Sequence, residues 1–280
     1  MGKSDYKKGG KSSGKGEGNF RKKSYVRENA PIKKKPQSKQ PSDPNVMRLN
    51  KYVANAGVCS RRDADIYIAA GNVTVNGKPI TEMGHKVNLT DEVRFDGRLL
   101  NPEKKEYILL NKPKNFITTT RDEKGRRTVM ELISNASKAR LVPVGRLDRN
   151  TTGLLLFTND GDLAKKLTHP KYGVRKIYHV ELDKNLKVED LHKIQEGLML
   201  DDGEVKVDEV SYINNAPKRE VGLEIHSGKN RIVRRIFEHL GYDIIKLDRV
   251  IFASLTKKDL PRGHWRPLTS QEVINLGMIQ

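Results

Sequence analysis

The chain of 280 residues is 35% hydrophobic and carries 54 Lys and Arg against 35 Asp and Glu, a formal net charge of +19. This apolar content suffices for one or two globular domains, and the excess of positive charge indicates a polyanionic partner such as nucleic acid. No stretch approaches the roughly 18 apolar residues that span a bilayer, and no apolar signal segment is found. The single cysteine, Cys59, excludes an internal disulfide and a cysteine-rich zinc site. We therefore expect a protein of the reducing cytoplasm.

Residues 1–46 have the composition of a disordered segment. They are rich in Lys, Gly, Ser, Pro and Gln, contain almost no aliphatic side chains, and carry a net charge of +9. Such a segment buries too little apolar surface to offset the entropy that it would lose on ordering. We therefore expect a disordered basic tail that faces phosphate groups.

The next segment, residues 47–105, predicts a small module that begins with two helices. Leu49, Val53 and Ala56 recur at helical spacing, and Gly57 ends this first helix. Ser60 is a suitable N-cap for a second helix, which ends before the next glycine.

Two hairpins are predicted after the helix pair. The strand at 73–75 leads into Asn76-Gly77, and the strand at 93–95 leads into Asp96-Gly97. Both dipeptides favour the tight turns of antiparallel hairpins. A polar linker at 103–106 closes the module, which we expect to be a helix pair packed on a small sheet.

The remainder, residues 106–280, alternates irregularly between strands and helices. Strands are predicted at 107–111, 176–182, 220–226 and 243–247, and helices at 128–133, 162–167, 188–195 and 230–240. This irregular order favours an α+β domain with a mixed, mainly antiparallel sheet over a doubly wound parallel one.

One loop in this region combines charges in an unusual way. The segment GRLDRNTTG at 145–153 places Asp148 between Arg146 and Arg149 and runs directly into the apolar LLLF of 154–157. A carboxylate held on a stiff scaffold with cations nearby is typical of a reactive site. From these residues alone, a plain strand connection is an equally good interpretation, because Asn, Asp and Gly are common in turns.

The longer run GRLDRNTTGLLLFTNDG at 145–161 resembles the signature of the Rsu-type ribosomal RNA pseudouridine synthases. Three further segments are similar to motifs of that family: Lys112-Pro113, KIY at 176–178 and GKNRIVRR at 228–235. Ile232 departs from the family pattern, which more often has Gln there. This departure predicts the loss of one polar contact to RNA or to the loop.

The N-terminal module is similar to the S4 RNA-binding domain. The residues that carry this similarity are RLNK at 48–51, SRR at 60–62 and GNVTVNG at 71–77. Together the two resemblances imply a basic tail at 1–46, an S4-like domain at 47–105 and a pseudouridine synthase domain at 106–280.

The family resemblance implies that the chain isomerises uridine to pseudouridine in ribosomal RNA without a cofactor. The reaction breaks the N1–C1′ bond and joins C1′ to C5 of the same base. Asp148 would be the nucleophile, and it can trap an oxocarbenium-like C1′, add to C6, or remove the 2′ proton. The residues leave these three routes open, and each requires an ionised carboxylate.

The same resemblance implies two partners for this carboxylate. Arg234, by its position in the last motif, would be the cation beside Asp148. Tyr178 would stack on the target base, an interaction of ~1–3 kcal/mol, and would assist removal of the proton from C5. Packing within the sheet is the alternative role for this tyrosine. His179 is expected on the opposite face of the strand, and the histidines lack the spacing of zinc ligands, so no metal is predicted.

Basic side chains around these motifs are the predicted RNA contacts. An ordinary solvated surface is the alternative role for such charges, but the net charge and the S4-like spacing favour RNA. The predicted contacts are Lys51, Arg61, Arg62, Lys112, Arg146, Arg149, Lys229, Arg231 and Arg235.

The expected substrate is large-subunit rRNA. The S4-like module followed by Lys112-Pro113 and RRTV at 126–129 is most similar to family members that act there. Free rRNA and an assembling ribosomal particle are both compatible with the sequence, and we expect a monomer without a membrane partner.

The alternative is a non-catalytic RNA-binding or ribosome-assembly factor on the same fold. Such a factor would be expected to have lost Asp148, Tyr178 or Arg234, and all three are present.

Overall fold

The computed structural model describes residues 45–279. The predicted disordered tail therefore lies outside the described residues, apart from its last two positions, and the second of these, Val46, already belongs to a strand. Among residues 45–279, every helix is too short or too polar to cross a lipid bilayer.

The N-terminal part of the described chain contains a helix pair and short antiparallel strands. The elements are β1 (Val46–Arg48), α1 (Leu49–Asn55), α2 (Arg61–Ala69), β2 (Val73–Val75), β3 (Lys78–Pro79), β4 (Lys86–Asn88), β5 (Val93–Phe95) and β6 (Arg98–Leu99). β1 pairs with β4, and the other four strands form a sheet in the order β3-β2-β5-β6.

The predicted start of α2 and both predicted hairpins are confirmed. Ser60 caps α2 through a reciprocal pair of hydrogen bonds with Asp63, a capping box. Asn76 and Asp96 have φ values of 50° and 47°, and a glycine with positive φ follows each of them. Two successive left-handed residues are what a tight hairpin turn requires, which explains the two dipeptides.

The second part of the chain is built on one large mixed sheet. The strands of this part are β7 (Tyr107–Lys112), β8 (Val142–Pro143), β9 (Thr151–Thr158), β10 (Lys176–Leu182), β11 (Leu198–Leu200), β12 (Gly203–Val205), β13 (Glu209–Tyr212), β14 (Glu220–Ile225), β15 (Ile244–Phe252), β16 (Leu255–Thr256) and β17 (Trp265–Pro267). The main strand order of the large sheet is β13-β14-β10-β15-β9-β7-β17, with β8 paired to β9 and β16 paired to β15, whereas β11 and β12 pair with each other. The helices are α3 (Val129–Leu132), α4 (Gly161–Thr168), α5 (Val188–Glu196), α6 (Ile232–His239) and α7 (Ser270–Gly277), with a short 3-10 turn at Pro170–Tyr172. This architecture confirms the predicted α+β class and the mainly antiparallel sheet.

The central strand β9 is buried on both faces. Leu154 and Leu156 pack into a core that includes α4 and α7, whereas Leu155 and Phe157 pack into a second core on the side of α3. Burial on both sides explains why the LLLF run is continuously apolar instead of alternating. The loop that carries Asp148 is therefore attached directly to the most buried strand of the sheet.

A parallel contact between β9 and β15 depends on Gly153. Gly153 has φ of +104°, and a Cβ atom placed there would lie 2.2 Å from Arg249 O and 2.6 Å from Arg249 N. These two strands are paired in register from Thr151 opposite Leu247 to Gly153 opposite Arg249. Only a residue without a side chain lets β15 approach the Asp148 loop this closely.

Gly153→Ala is therefore expected to destabilise the protein strongly. The added methyl group combines left-handed strain of roughly 1–2 kcal/mol with overpacking of roughly 1–3 kcal/mol, which predicts a loss of about 3 kcal/mol in the free energy of unfolding. Urea denaturation measures this loss. Gly77→Ala is the matched control, because Gly77 has φ of +77° but no atom within 4 Å of the added Cβ. Equal losses for the two variants would contradict the close-approach argument.

Candidate active site

A buried lysine anchors the backbone of the loop that precedes β9. Lys112 is fully buried, at 0% exposure. Its Nζ donates to the backbone oxygens of Pro113 at 3.1 Å, Asp148 at 3.1 Å, Arg149 at 3.3 Å and Thr151 at 2.8 Å. One ammonium group thus ties together the backbone of the loop that presents Asp148.

This position of Lys112 corrects the sequence prediction that it contacts RNA. A side chain with no exposed surface cannot reach phosphate, so the prediction is wrong for this residue. Burial lowers the pKa of Lys112 to about 8, and the Asp148 carboxylate opposes that shift. The lysine is a loop anchor, a role that depends on carbonyl groups 36 to 39 positions away in the chain.

A second anchor holds the other side of the loop. The Thr118 hydroxyl donates to Leu147 O at 2.8 Å and accepts from Leu147 N at 3.3 Å. The Leu147 side chain is buried in the core beside α3, and Thr151 N donates to Asp148 O at 3.1 Å. The backbone on both sides of Asp148 is therefore fixed, whereas its carboxylate stays 34% exposed.

Two arginines from the segment before and within α6 face this carboxylate. Arg231 Nη1 lies 3.5 Å and Arg234 Nε lies 3.8 Å from Asp148 Oδ2. Arg234 is the more buried of the two, with 12% of its side chain exposed against 45% for Arg231. Arg234 therefore lies within ion-pair distance of Asp148, as its motif position predicts.

Arg231 was expected to contact RNA, but it sits beside Asp148. It occupies the N-cap position of α6 with φ of +48°, and its side chain forms no capping hydrogen bond with the helix. Its Nη2 also lies 3.3 Å from Glu238 Oε1. Burial, and secondarily the charge of Arg231, lowers the pKa of Arg234 below its usual value, while Asp148 acts in the opposite direction.

Ile232 and Arg235 lie on other faces of α6. Ile232, where the family more often has a polar residue, is buried in the core between α6 and the sheet. Arg235 forms two hydrogen bonds with Asp202, at 3.0 and 2.7 Å, which lower the pKa of this carboxylate to about 2. Lys229 also lies 3.6 Å from Asp202. Arg235 thus ties α6 to the turn between β11 and β12, which argues against its predicted RNA contact.

A cavity of about 630 Å³ opens beside Asp148. The three predicted catalytic residues, Asp148, Tyr178 and Arg234, all line this cavity. Arg231 lines it as well. Asp148 is the single acidic residue of this lining, and the cations around it give the cavity a positive potential. Such a cavity has the size and charge to receive a nucleotide with its phosphate.

Two further cations of this cavity are absent from the sequence predictions. Arg249, in β15, is 3% exposed. Lys176 donates to Val174 O at 2.7 Å and His226 O at 2.9 Å, and burial lowers its pKa to about 8. For Arg249, the available signal was the charged pair Asp248-Arg249 in a segment with apolar residues on both sides. Lys176 is the first residue of the KIY motif.

His179 lies on the other face of the sheet, as predicted. Its Nε2 lies 2.8 Å from Glu220 Oε2, and both residues line a second cavity of about 480 Å³. The two neighbouring residues Tyr178 and His179 therefore line different cavities. Strand alternation explains this separation.

The remaining predicted RNA contacts lie at the surface or at its edge. Arg61, Arg62, Arg146 and Arg149 are exposed. Lys51 is half-buried and pairs with Asp162 of α4 at 2.7 Å. This pair connects α1 to the second part of the chain, so Lys51 has a structural partner in addition to any RNA contact.

Comparison with known proteins agrees with the folds of both parts. Residues 47–93 match the family model of the S4 domain, and residues 106–239 match the model of the RNA pseudouridylate synthases. A solved structure of a pseudouridylate synthase, 28% identical, superposes with a TM-score of 0.59 over 82% of this chain and 99% of its own.

Relatives with similar sequences cover most of the chain. The ribosomal large subunit pseudouridine synthase B of Bacillus subtilis is 41% identical over 82% of this chain and 95% of its own length. The dual-specificity RNA pseudouridine synthase RluF of Escherichia coli K12 is 38% identical over 82% of this chain and 78% of its own. With this similarity, the chain belongs to the RNA pseudouridine synthase family, and an S4 domain precedes its catalytic domain.

Proposed function

We propose that this protein isomerises specific uridines of large-subunit ribosomal RNA to pseudouridine, with Asp148 as nucleophile and no cofactor. The observation that carries the proposal is the fixed Asp148 loop at the rim of a basic cavity, with Arg231 and Arg234 beside the carboxylate. The name of the Bacillus subtilis relative supports the choice of large-subunit RNA.

The geometry assigns a role to each part of the cavity. Both arginines contact Oδ2 of Asp148, so Oδ1 is the oxygen that we assign to attack. Tyr178 stacks on a uracil that has flipped out of the RNA helix, as enzymes that act on bases require. Arg146 and Arg149, exposed on the same loop, meet the phosphates that flank this nucleotide.

Basic residues outside the cavity extend the RNA surface. Arg61 and Arg62 at the start of α2 are exposed and have no ion-pair partner among residues 45–279. We assign residues 47–105 to RNA binding and residues 106–280 to catalysis, in a monomer that acts in the cytoplasm on free rRNA or on an assembling ribosomal particle. A non-catalytic assembly factor is the weaker candidate, because Asp148, Tyr178 and Arg234 all meet at one cavity.

A test of the function compares rRNA from cells with and without this gene. We expect one or more pseudouridines of the large-subunit RNA to disappear in the deletion strain. Purified protein should restore them on a transcript of that RNA without an added metal or cofactor. Unchanged pseudouridine maps, together with RNA binding by the purified protein, would favour the assembly factor.

Removal of residues 1–46 is expected to weaken RNA binding without changing the modified uridine. The segment carries +9 of charge, and such charges act by releasing counterions from RNA. The affinity should therefore fall, and the dependence of the dissociation constant on salt should become shallower. Filter binding at several salt concentrations measures both, and modification of a different uridine would show that the segment takes part in recognition.

A further inference from the structure

Arg249 is a buried cation without a carboxylate partner in the described part of the chain. Its Nε and Nη2 donate to Leu154 O at 2.9 and 2.7 Å, and its guanidinium carbon lies 4.5 Å from the centre of the Phe252 ring. The adjacent acid, Asp248, is paired with other cations on the opposite face of the sheet. Among residues 45–279, no carboxylate forms an ion pair with Arg249.

An unpaired buried charge is costly, by several kcal/mol even after relaxation. Burial accordingly lowers the pKa of Arg249, and the one side chain found to act in the opposite direction is Tyr178. An apolar residue of similar size would stabilise the sheet better at this position. The stability of the fold therefore does not explain why an arginine occupies position 249.

Tyr178 is the register partner of Arg249 across the β10–β15 pair. Both side chains line the cavity that Asp148 enters. The strand carrying Arg249 reaches this place through the close approach at Gly153. The fold thus places a buried positive charge on the strand position next to Tyr178, the residue that we assign to stacking on the target base.

We propose that Arg249 is a positioning residue that holds the Tyr178 oxygen and stabilises negative charge on it, so that this oxygen accepts the proton from C5 of the base. This inference rests on the proposed function and deepens it. When C5 has bonded to C1′, it still carries its hydrogen. The Tyr178 hydroxyl releases its own proton to water, and its oxygen takes the proton from C5. The C–H electron pair forms the C5=C6 bond, the C6=N1 pair moves to N1, and N1 takes up a proton from water, so substrate and product have the same composition.

The test uses rRNA transcripts that carry deuterium at C5 of uridine. Arg249→Met should slow turnover by about 10²-fold or more, the contribution of a positioned proton acceptor. The deuterium isotope effect on turnover should rise above that of the wild type, because proton removal becomes rate-limiting. The Michaelis constant should change little. Arg249→Lys should restore part of the rate.

Two comparisons separate this role from others. In a Tyr178→Phe background, Arg249→Met should cause little further loss, because both substitutions remove the same interaction. Arg262→Met is the matched control, since Arg262 pairs with Asp248 on the opposite face of β15 at 3.0 Å. It should lower the melting temperature and leave the isotope effect unchanged, whereas Arg249→Met should melt at or above the wild-type temperature.

An isotope effect that stays at the wild-type value in Arg249→Met would overturn the proposal, because Arg249 would then act on an earlier step such as departure of uracil from C1′. A large fall in melting temperature with unchanged turnover per folded molecule would overturn it in favour of a structural role. Absence of pseudouridine with the wild-type protein would instead contradict the proposed function itself.

Discussion

Asp148→Asn is expected to reduce pseudouridine formation by a factor on the order of 10⁴–10⁶, the range for loss of a catalytic nucleophile. Asparagine keeps the shape of the side chain but supplies no anionic oxygen for attack on the nucleotide. The loop should keep its conformation, because Lys112 and Thr118 hold its backbone and not the carboxylate. Pseudouridine in a single-turnover assay measures the loss.

RNA affinity and melting temperature serve as controls for Asp148→Asn. Both should stay near the wild-type values, since the carboxylate is 34% exposed and contacts its arginines at 3.5 Å or more. Appreciable turnover by this variant would refute Asp148 as the nucleophile. Loss of folding together with activity would favour the strand-connection interpretation of the loop.

Arg234→Met is expected to slow turnover by about 10²–10³-fold, as removal of one electrostatic partner in an active site does. Arg234 is more buried than Arg231, so its charge is less screened by solvent and should matter more. Arg231→Met should therefore show a smaller loss. The two substitutions act on the same oxygen of Asp148, and their combination should not be additive.

Arg235→Met is the matched control for Arg234→Met. Arg235 is the next residue along α6 but pairs with Asp202 at 2.7 Å, so its loss should lower the stability of this region and leave the rate constant per folded molecule near that of the wild type. Turnover rates under single-turnover conditions, with melting curves for each variant, separate these effects. A larger rate loss for Arg235→Met than for Arg234→Met would refute the assignment of the cation.

Local patterns in the sequence predicted a large part of the fold. The strand at 176–182 and the first strand of each hairpin were predicted with their observed bounds, because alternation and Asn-Gly or Asp-Gly turns are local signals. β15 was predicted only to residue 247, although it extends to Phe252. Its polar centre, Asp248-Arg249, looks like the end of a strand when burial on the two faces of the sheet is unknown.

The site was predictable where a motif carried it and was missed where contacts were distant. Asp148, Tyr178 and Arg234 came from the family motifs. The predicted RNA contact of Lys112 is wrong, because the sequence around Lys112-Pro113 does not indicate the carbonyl groups that surround the lysine in the fold. Arg231 was predicted to contact RNA, whereas it lies beside Asp148. Its left-handed backbone conformation leaves no pattern in the sequence, so this position could not be predicted.

The parallel pairing of β9 with β15 has a consequence for folding kinetics. It joins Thr151 to Leu247 and Gly153 to Arg249, segments far apart in the chain, and contacts of such long sequence separation form slowly. The Asp148 loop and the Tyr178 side of the cavity can therefore meet only when both halves of the sheet have formed. Pseudouridine formation should consequently appear late in refolding, after most of the helices and hairpins have formed. A nascent chain that still lacks residues 244–252 should bind RNA through its S4 domain before the chain can modify that RNA.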